Sequence, residues 1–127
     1  MDHPLADRQR KSVERAIRES CGFRKWELLA LNVRTNHVHA LLHTGTLQPE
    51  RVLNALKANA TRQMRQEGHW PHDHTPWADR GSKRYIWTEL GIERATEYVI
   101  SGQGGEIPEF DPPRSKTESP IRYRGLY

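Results

Sequence analysis

Two histidines flank a valine in Thr35-Asn36-His37-Val38-His39-Ala40-Leu41-Leu42. In a β-strand, residues i and i+2 share a face, so His37 and His39 are expected side by side, with Val38, Ala40 and Leu42 on the other face. Two imidazoles about 6–7 Å apart along a strand can converge on one cation and leave its remaining positions to substrate oxygens. A His-x-His triplet alone is common, and such a pair is more often structural or solvent-facing. The strand-like run and the Asn around it strengthen the metal reading.

A second segment mixes aromatic and basic residues. Trp70, Trp77 and Trp87 interleave with Arg80, Lys83 and Arg84, a composition suited to base stacking and backbone contact on single-stranded nucleic acid. Tyr85 and Trp87 alternate on one strand face, so core packing explains that pair equally well. His69-Trp70-Pro71-His72-Asp73-His74 invites a zinc reading. It lacks cysteine and regular structure, and a solvated loop is the better reading. His43 shares the strand face of His39, as a supporting group or at the sheet's edge. Cys21, alone of its kind, excludes an internal disulfide, points to a reducing compartment and reads as a packing residue.

Composition narrows the partners. With 20 Lys+Arg against 16 Asp+Glu the net charge is +4 over 127 residues, which mildly favours a polyanion. Hydrophobic residues make up 35% of the chain, enough for one modest core. No apolar run approaches the roughly 18–20 residues of a membrane span, and no signal-peptide core opens the chain. A soluble, cytoplasmic protein with no membrane partner is expected.

The elements that must carry these residues follow from periodicity. Residues 6–20 place Val13, Ala16 and Ile17 at helical spacing, with Gly22 as the expected stop. Lys25 to Val33 reads as a strand with Leu29, Leu31 and Val33 on one face. A turn at Arg34-Thr35-Asn36 leads to an antiparallel strand over Val38–His43. A helix opens around Thr46, Pro49 and Glu50 and runs to about Gln66, burying Val52, Leu53, Leu56, Ala60 and Met64. After a loop from Gly68 to Gly81, Ser82–Thr88 reads as a short strand. A last helix runs from about Ile92 to Ile100, ended by Gly102, Gly104 and Gly105. Residues 108–127, rich in proline and charge, are expected as an extended or disordered tail behind a domain of residues 1–107. The class is α+β, with helices on one face of a small antiparallel sheet.

Asn36-His37-Val38-His39-Ala40-Leu41-Leu42 on a hairpin strand, with Tyr98-Val99 on a late helix, resembles the IS200/IS605-type single-tyrosine transposases, including the REP-associated tyrosine transposases. These are HUH endonucleases, named for a His-hydrophobic-His metal motif. The resemblance covers about residues 7–107 and implies a ferredoxin-like sheet. Relatives open with a strand ahead of the first helix. Here only Met1-Asp2-His3-Pro4-Leu5 precedes it, so the sheet is expected to lack that strand and to hold a gap between its neighbours.

The resemblance further implies metal-dependent cleavage and rejoining of hairpin-bearing single-stranded DNA. His37 and His39 would hold Mg²⁺ or Mn²⁺, and Tyr98 would attack phosphorus to give a 5′-phosphotyrosine link and a free 3′-hydroxyl. The third ligand of relatives lies one helical turn after the tyrosine. That position is Gly102, which makes Gln103 the candidate. Arg80, Lys83, Arg84, Trp77 and Trp87 would contact the DNA. Relatives include homodimers that exchange the tyrosine helix and also monomers, so Tyr98 completes either its own site or a partner's. The alternatives are an inactive or domesticated single-stranded-DNA-binding remnant of the family, and an unrelated small metal hydrolase that would leave Tyr98 idle.

Overall fold

The computed structural model describes residues 4–45, 47–77, 84–102, 107–111 and 124–126. Helix α1 spans Asp7–Arg24. Its start is favoured by Asp7 at the positive end of the helix dipole and by Gln9 Oε1, which accepts the Ala6 N–H at 2.7 Å. The helix passes through Gly22 and ends instead at Lys25, in the left-handed region at φ 59°. There the Trp26 N–H reaches the Cys21 carbonyl at 2.9 Å and caps the last turn.

Strands β1 (Glu27–Val33) and β2 (Val38–His43) form an antiparallel hairpin. The Arg34 N–H donates to the His37 carbonyl at 2.9 Å and closes it. The register sets Val33 opposite Val38, Asn32 opposite His39 and Leu31 opposite Ala40, with an irregularity between Leu28 and Ala30. That bulge corrects the expected face of β1. The extra residue shifts the alternation, so Leu28, Leu31 and Val33 join one core layer while Leu29 and Ala30 join the other.

Helix α2 spans Pro49–Gln66, with proline in its first turn, where a missing N–H costs nothing. Val52, Leu56, Ala60 and Met64 form its buried stripe. They meet Val13, Ala16, Ile17 and Cys21 of α1 over Ala40 and Leu42 of β2. Burial raises the Cys21 thiol pKa above its ordinary value, as suits a packing cysteine. Polar contacts stitch the two helices together. Asn59 Nδ2 donates to the Ala16 carbonyl and to Ser20 Oγ. Near the end of α2, Glu67 takes hydrogen bonds from Arg15, Ser12 and Gln63, and Ser12 Oγ lies 2.8 Å from His69 Nδ1.

Strand β3 (Arg84–Ile86), helix α3 (Glu89–Ser101) and strand β4 (Arg124–Leu126) complete the elements. The sheet runs in the order β1-β2-β4-β3, and every neighbouring pair is antiparallel. The α+β class expected from the sequence is the observed one.

Two expectations change. First, the helices do not share one face. Alternation along β2 leaves Leu41 pointing away from α1 and α2, and α3 covers it with Ala95 and Val99 in a second layer with Ile86, Ile107 and Phe110. Second, of the segment from residue 108 expected as a tail, residues 108–111 and 124–126 join the fold, while 112–123 and 127 lie outside the described residues. Phe110 is buried at 5% exposure, and β4 pairs with both β2 and β3. This C-terminal strand takes an interior place in the sheet, between β2 and β3, where its backbone donors and acceptors face a neighbour on both sides. Three-residue strands carry no periodic signal, which hides β4 in the sequence. Ahead of α1, Leu5 is buried and its N–H donates to the Thr35 carbonyl beside the hairpin turn.

Two outcomes follow for stability. Leu42 is fully buried, whereas Phe23 is 86% exposed. Leu42→Ala should cost about 2–5 kcal/mol in urea unfolding, and Phe23→Ser less than about 0.5 kcal/mol. Hydrogen bonds from Arg15 first, then Ser12 and Gln63, hold the Glu67 carboxyl near 2 against an ordinary 4.5. A lowered acid pKa stabilises the fold above the ordinary value, and that contribution disappears as pH falls from 4.5 towards 2. Glu67→Gln should therefore be less stable than the parent at neutral pH, and its pH–stability curve should be flatter across that window.

Candidate active site

Alternation along β2 delivers the histidine pair to the face that α3 covers. His37 directly precedes the strand and His39 lies within it, with ring centroids 4.7 Å apart. His39 is 5% exposed and His37 is half-buried. The Asn36 side-chain oxygen lies 2.7 Å from His37 Nδ1. An amide oxygen only accepts, so Nδ1 carries the proton and Nε2 keeps its lone pair. His37 Nε2 and both ring nitrogens of His39 are buried with no hydrogen-bond partner among the described residues.

Burial and neighbouring positive charge disfavour the protonated form of both rings. Burial, then the neighbouring His37, then Arg34 push His39 down to about 4 from an ordinary 6.5. Burial and then Arg34 also lower His37. Neutral imidazoles with free lone pairs, buried and unpartnered, are what a divalent cation requires. The donor set fits a metal held by His37 and His39. Among the described residues, no group of three or more His, Cys, Asp or Glu side chains gathers around any point.

Helix α3 brings Tyr98 to the same place. Thr88 starts it, its side chain accepting the Gly91 N–H at 2.9 Å. Near its end, Asn32 Nδ2 donates to the Val99 carbonyl at 2.9 Å. Asn32 is the cross-strand partner of His39, so one residue docks the tyrosine turn beside the histidine. Residue type alone does not mark Asn32 as part of a site. Its signal was a lone amide inside an apolar strand, opposite His39 once the hairpin register is counted out. The Tyr98 ring stands edge-on to His39 with centroids 5.2 Å apart. Its hydroxyl is buried and without a partner among the described residues.

Gly102 caps α3, donating its N–H to the Tyr98 carbonyl at 2.6 Å. A Cβ there would stand 2.4 Å from that carbonyl oxygen and 3.0 Å from the tyrosine ring. The position one turn beyond Tyr98 therefore has no room for any side chain as the helix is built.

Other candidate residues scatter. Gln103, Arg80 and Lys83 lie outside the described residues. Trp77 belongs to the layer of α1 and α2, on the far side of the sheet from the histidines, and its Nε1 donates to Thr61 Oγ1 at 2.8 Å. Its partly buried ring packs there, away from the histidine face. Arg84 forms an ion pair with Glu109 at 3.1 Å, so its charge is already engaged. Trp87 stacks on Tyr85 with ring centroids 5.4 Å apart. Trp70 is 3% exposed and closes its loop by an Nε1 bond to the His74 carbonyl, while His72 and His74 stay exposed. His43 shares the face of His39 and Leu41, with Nε2 buried and unpartnered among the described residues.

No helix among the described residues is long and apolar enough to cross a membrane. Compared with known proteins, the chain matches no curated protein and no solved structure. It does match the sequence model of a family described as "Transposase IS200 like" over residues 3–99. That span holds His37, His39, Asn32 and Tyr98, the residues that the hairpin and α3 bring together. The match covers well over half of the chain, which therefore belongs to the IS200-like transposase family.

Proposed function

We propose that the chain cleaves and rejoins hairpin-bearing single-stranded DNA through Tyr98. The observation that carries this reading is the grouping of His37, His39 and Tyr98, in which His37 Nε2, both ring nitrogens of His39 and the Tyr98 hydroxyl are buried without partners among the described residues. Buried polar atoms without partners are costly in a purely structural role, and they suit a site that receives a ligand. His37 and His39 would hold Mg²⁺ or Mn²⁺, which when bound supplies Lewis-acid stabilisation of charge on the phosphate oxygens. Gln103, next beyond Gly102, is the candidate for a third protein ligand.

In the proposed reaction the Tyr98 oxygen attacks phosphorus as its phenolic proton is lost to solvent. A new phosphorus–oxygen bond forms to the tyrosine, and the bond to the preceding nucleotide's 3′-oxygen breaks. That oxygen takes up a proton and leaves as a free 3′-hydroxyl. Because the phosphodiester energy is kept in the phosphotyrosine link, another strand's 3′-hydroxyl reverses the step and releases Tyr98 without ATP. Asn32 keeps Tyr98 near His39 through the Val99 carbonyl. Asn36 keeps His37 in the tautomer that presents Nε2. Arg80 and Lys83, on the segment leading to β3, are assigned to the DNA backbone.

A second reading has a specific observation behind it. Gly102 stands one turn after Tyr98, where relatives carry a metal ligand, and its Cβ space is occupied. A remnant that binds single-stranded DNA without cleaving it would tolerate that change.

Two measurements separate the readings. Labelled hairpin oligonucleotides with Mn²⁺ should yield a denaturation-resistant protein–DNA adduct. Tyr98→Phe should abolish it, and His37→Ala or His39→Ala should slow it by about 10²-fold or more. Binding without an adduct on cognate hairpins favours the remnant, and metal-dependent hydrolysis surviving Tyr98→Phe overturns the tyrosine mechanism. Independently of activity, Mn²⁺ should raise the melting temperature, by an amount equivalent to about 2.7 kcal/mol at a hundred times its Kd. The shift should vanish in the His37→Ala, His39→Ala double variant, and an equal shift there removes the histidines from the metal site.

A further inference from the structure

The Tyr98 ring has two aromatic neighbours. His39 meets it edge-on, and Phe110 packs against it with centroids 5.5 Å apart and planes tilted by 58°. Phe110 belongs to residues 107–111, beyond the span that the family model matches. Its segment is tied at successive positions. Glu109 pairs with Arg84, and the Phe110 carbonyl accepts from Arg94 Nη1 at 3.3 Å. The Asp111 carboxylate accepts the Trp87 N–H at 2.6 Å, the Thr88 N–H at 3.1 Å and the Thr88 hydroxyl at 2.7 Å. Such charge-assisted bonds at the start of a helix are among the stronger polar contacts a fold makes. A Cβ on Gly91 would stand 1.9 Å from Asp111 Oδ1, so the carboxylate's close approach depends on glycine at that position.

These contacts fix the backbone on either side of Phe110, and the phenylalanine ring in turn limits where the Tyr98 ring can swing. A nucleophile displaced by about 1 Å from its attack position can lose about 10²-fold in rate. We infer that Phe110 is a positioning residue for Tyr98, holding the phenol against His39, with Asp111 as the anchor of its segment. The inference rests on the reading of Tyr98 as nucleophile.

Phe110→Leu tests it, because leucine keeps the site apolar and filled while removing the flat ring. The melting temperature serves as the folding control. Single-turnover adduct formation at saturating DNA should slow about 10-fold or more, with oligonucleotide affinity unchanged within about twofold. In protein carrying ring-¹³C tyrosine, the Tyr98 signal, assigned through Tyr98→Phe, should lose its cross-relaxation to the His39 ring. Asp111→Ala, which does not touch Tyr98, should show the same split between rate and affinity. An adduct in the parent with an equal rate in Phe110→Leu overturns the positioning role and leaves the nucleophile standing. A rate that falls together with affinity, or an unchanged Tyr98–His39 signal, overturns it as well. No adduct in the parent, with the ring contact still lost in Phe110→Leu, sinks the nucleophile and keeps Phe110 as the residue that orients Tyr98.

Discussion

The antiparallel register of the β1–β2 hairpin, with Asn32 opposite His39 and Val33 opposite Val38, governs the rest of the molecule. Side chains alternate with period two, so a slip of one residue would turn Val38, Ala40 and Leu42 away from α1 and α2. It would also drive His39 and His43 into that apolar layer, where unpaired polar rings are costly. The register is therefore held by burial on both faces at once. The Arg34 N–H closes its turn through the His37 carbonyl, and the irregularity near Leu28 absorbs the residue that would otherwise break the match.

From that register the candidate site follows. Once His37 and His39 share the face opposite α1 and α2, Leu41 between His39 and His43 needs its own cover, and α3 supplies it with Ala95 and Val99. Tyr98 arrives on the same turn as Val99, whose carbonyl Asn32 holds. The packing that buries Leu41 is thus also what brings a phenol to the imidazoles. Burial of the histidines, together with Arg34, disfavours their charged forms. The same desolvation strengthens whatever electrostatic contact a bound cation or phosphate makes there.

Elements with strong local periodicity are legible in the sequence. The strand Val38–His43 and the helix Pro49–Gln66 occur where alternation, a first-turn proline and a spaced apolar stripe placed them. Boundaries that depend on one backbone conformation are not. Gly22 has the residue type of a helix end, yet the chain stays helical until Lys25 because the Trp26 N–H finds the Cys21 carbonyl only there. Trp77 and Arg84 looked like a nucleic-acid surface by composition. Each is engaged by a partner distant in sequence, Thr61 for one and Glu109 for the other, and residue type says nothing about such partners.

By itself, the sequence determined the chemistry on offer: a histidine pair two residues apart on a strand, a tyrosine on a late helix, and an order of elements that places the chain in its family. Those are local properties, set by spacing and by motifs that survive in one dimension. Tertiary structure alone decided that α3 lies on the opposite face from α1 and α2, and that β4 from the far end of the chain enters the sheet between β2 and β3. It alone set Phe110 against Tyr98. The physical reason is common to all three. Each satisfies a need for buried apolar contact or paired backbone groups that arises only once distant segments have met, and no residue's type records which segment will meet it.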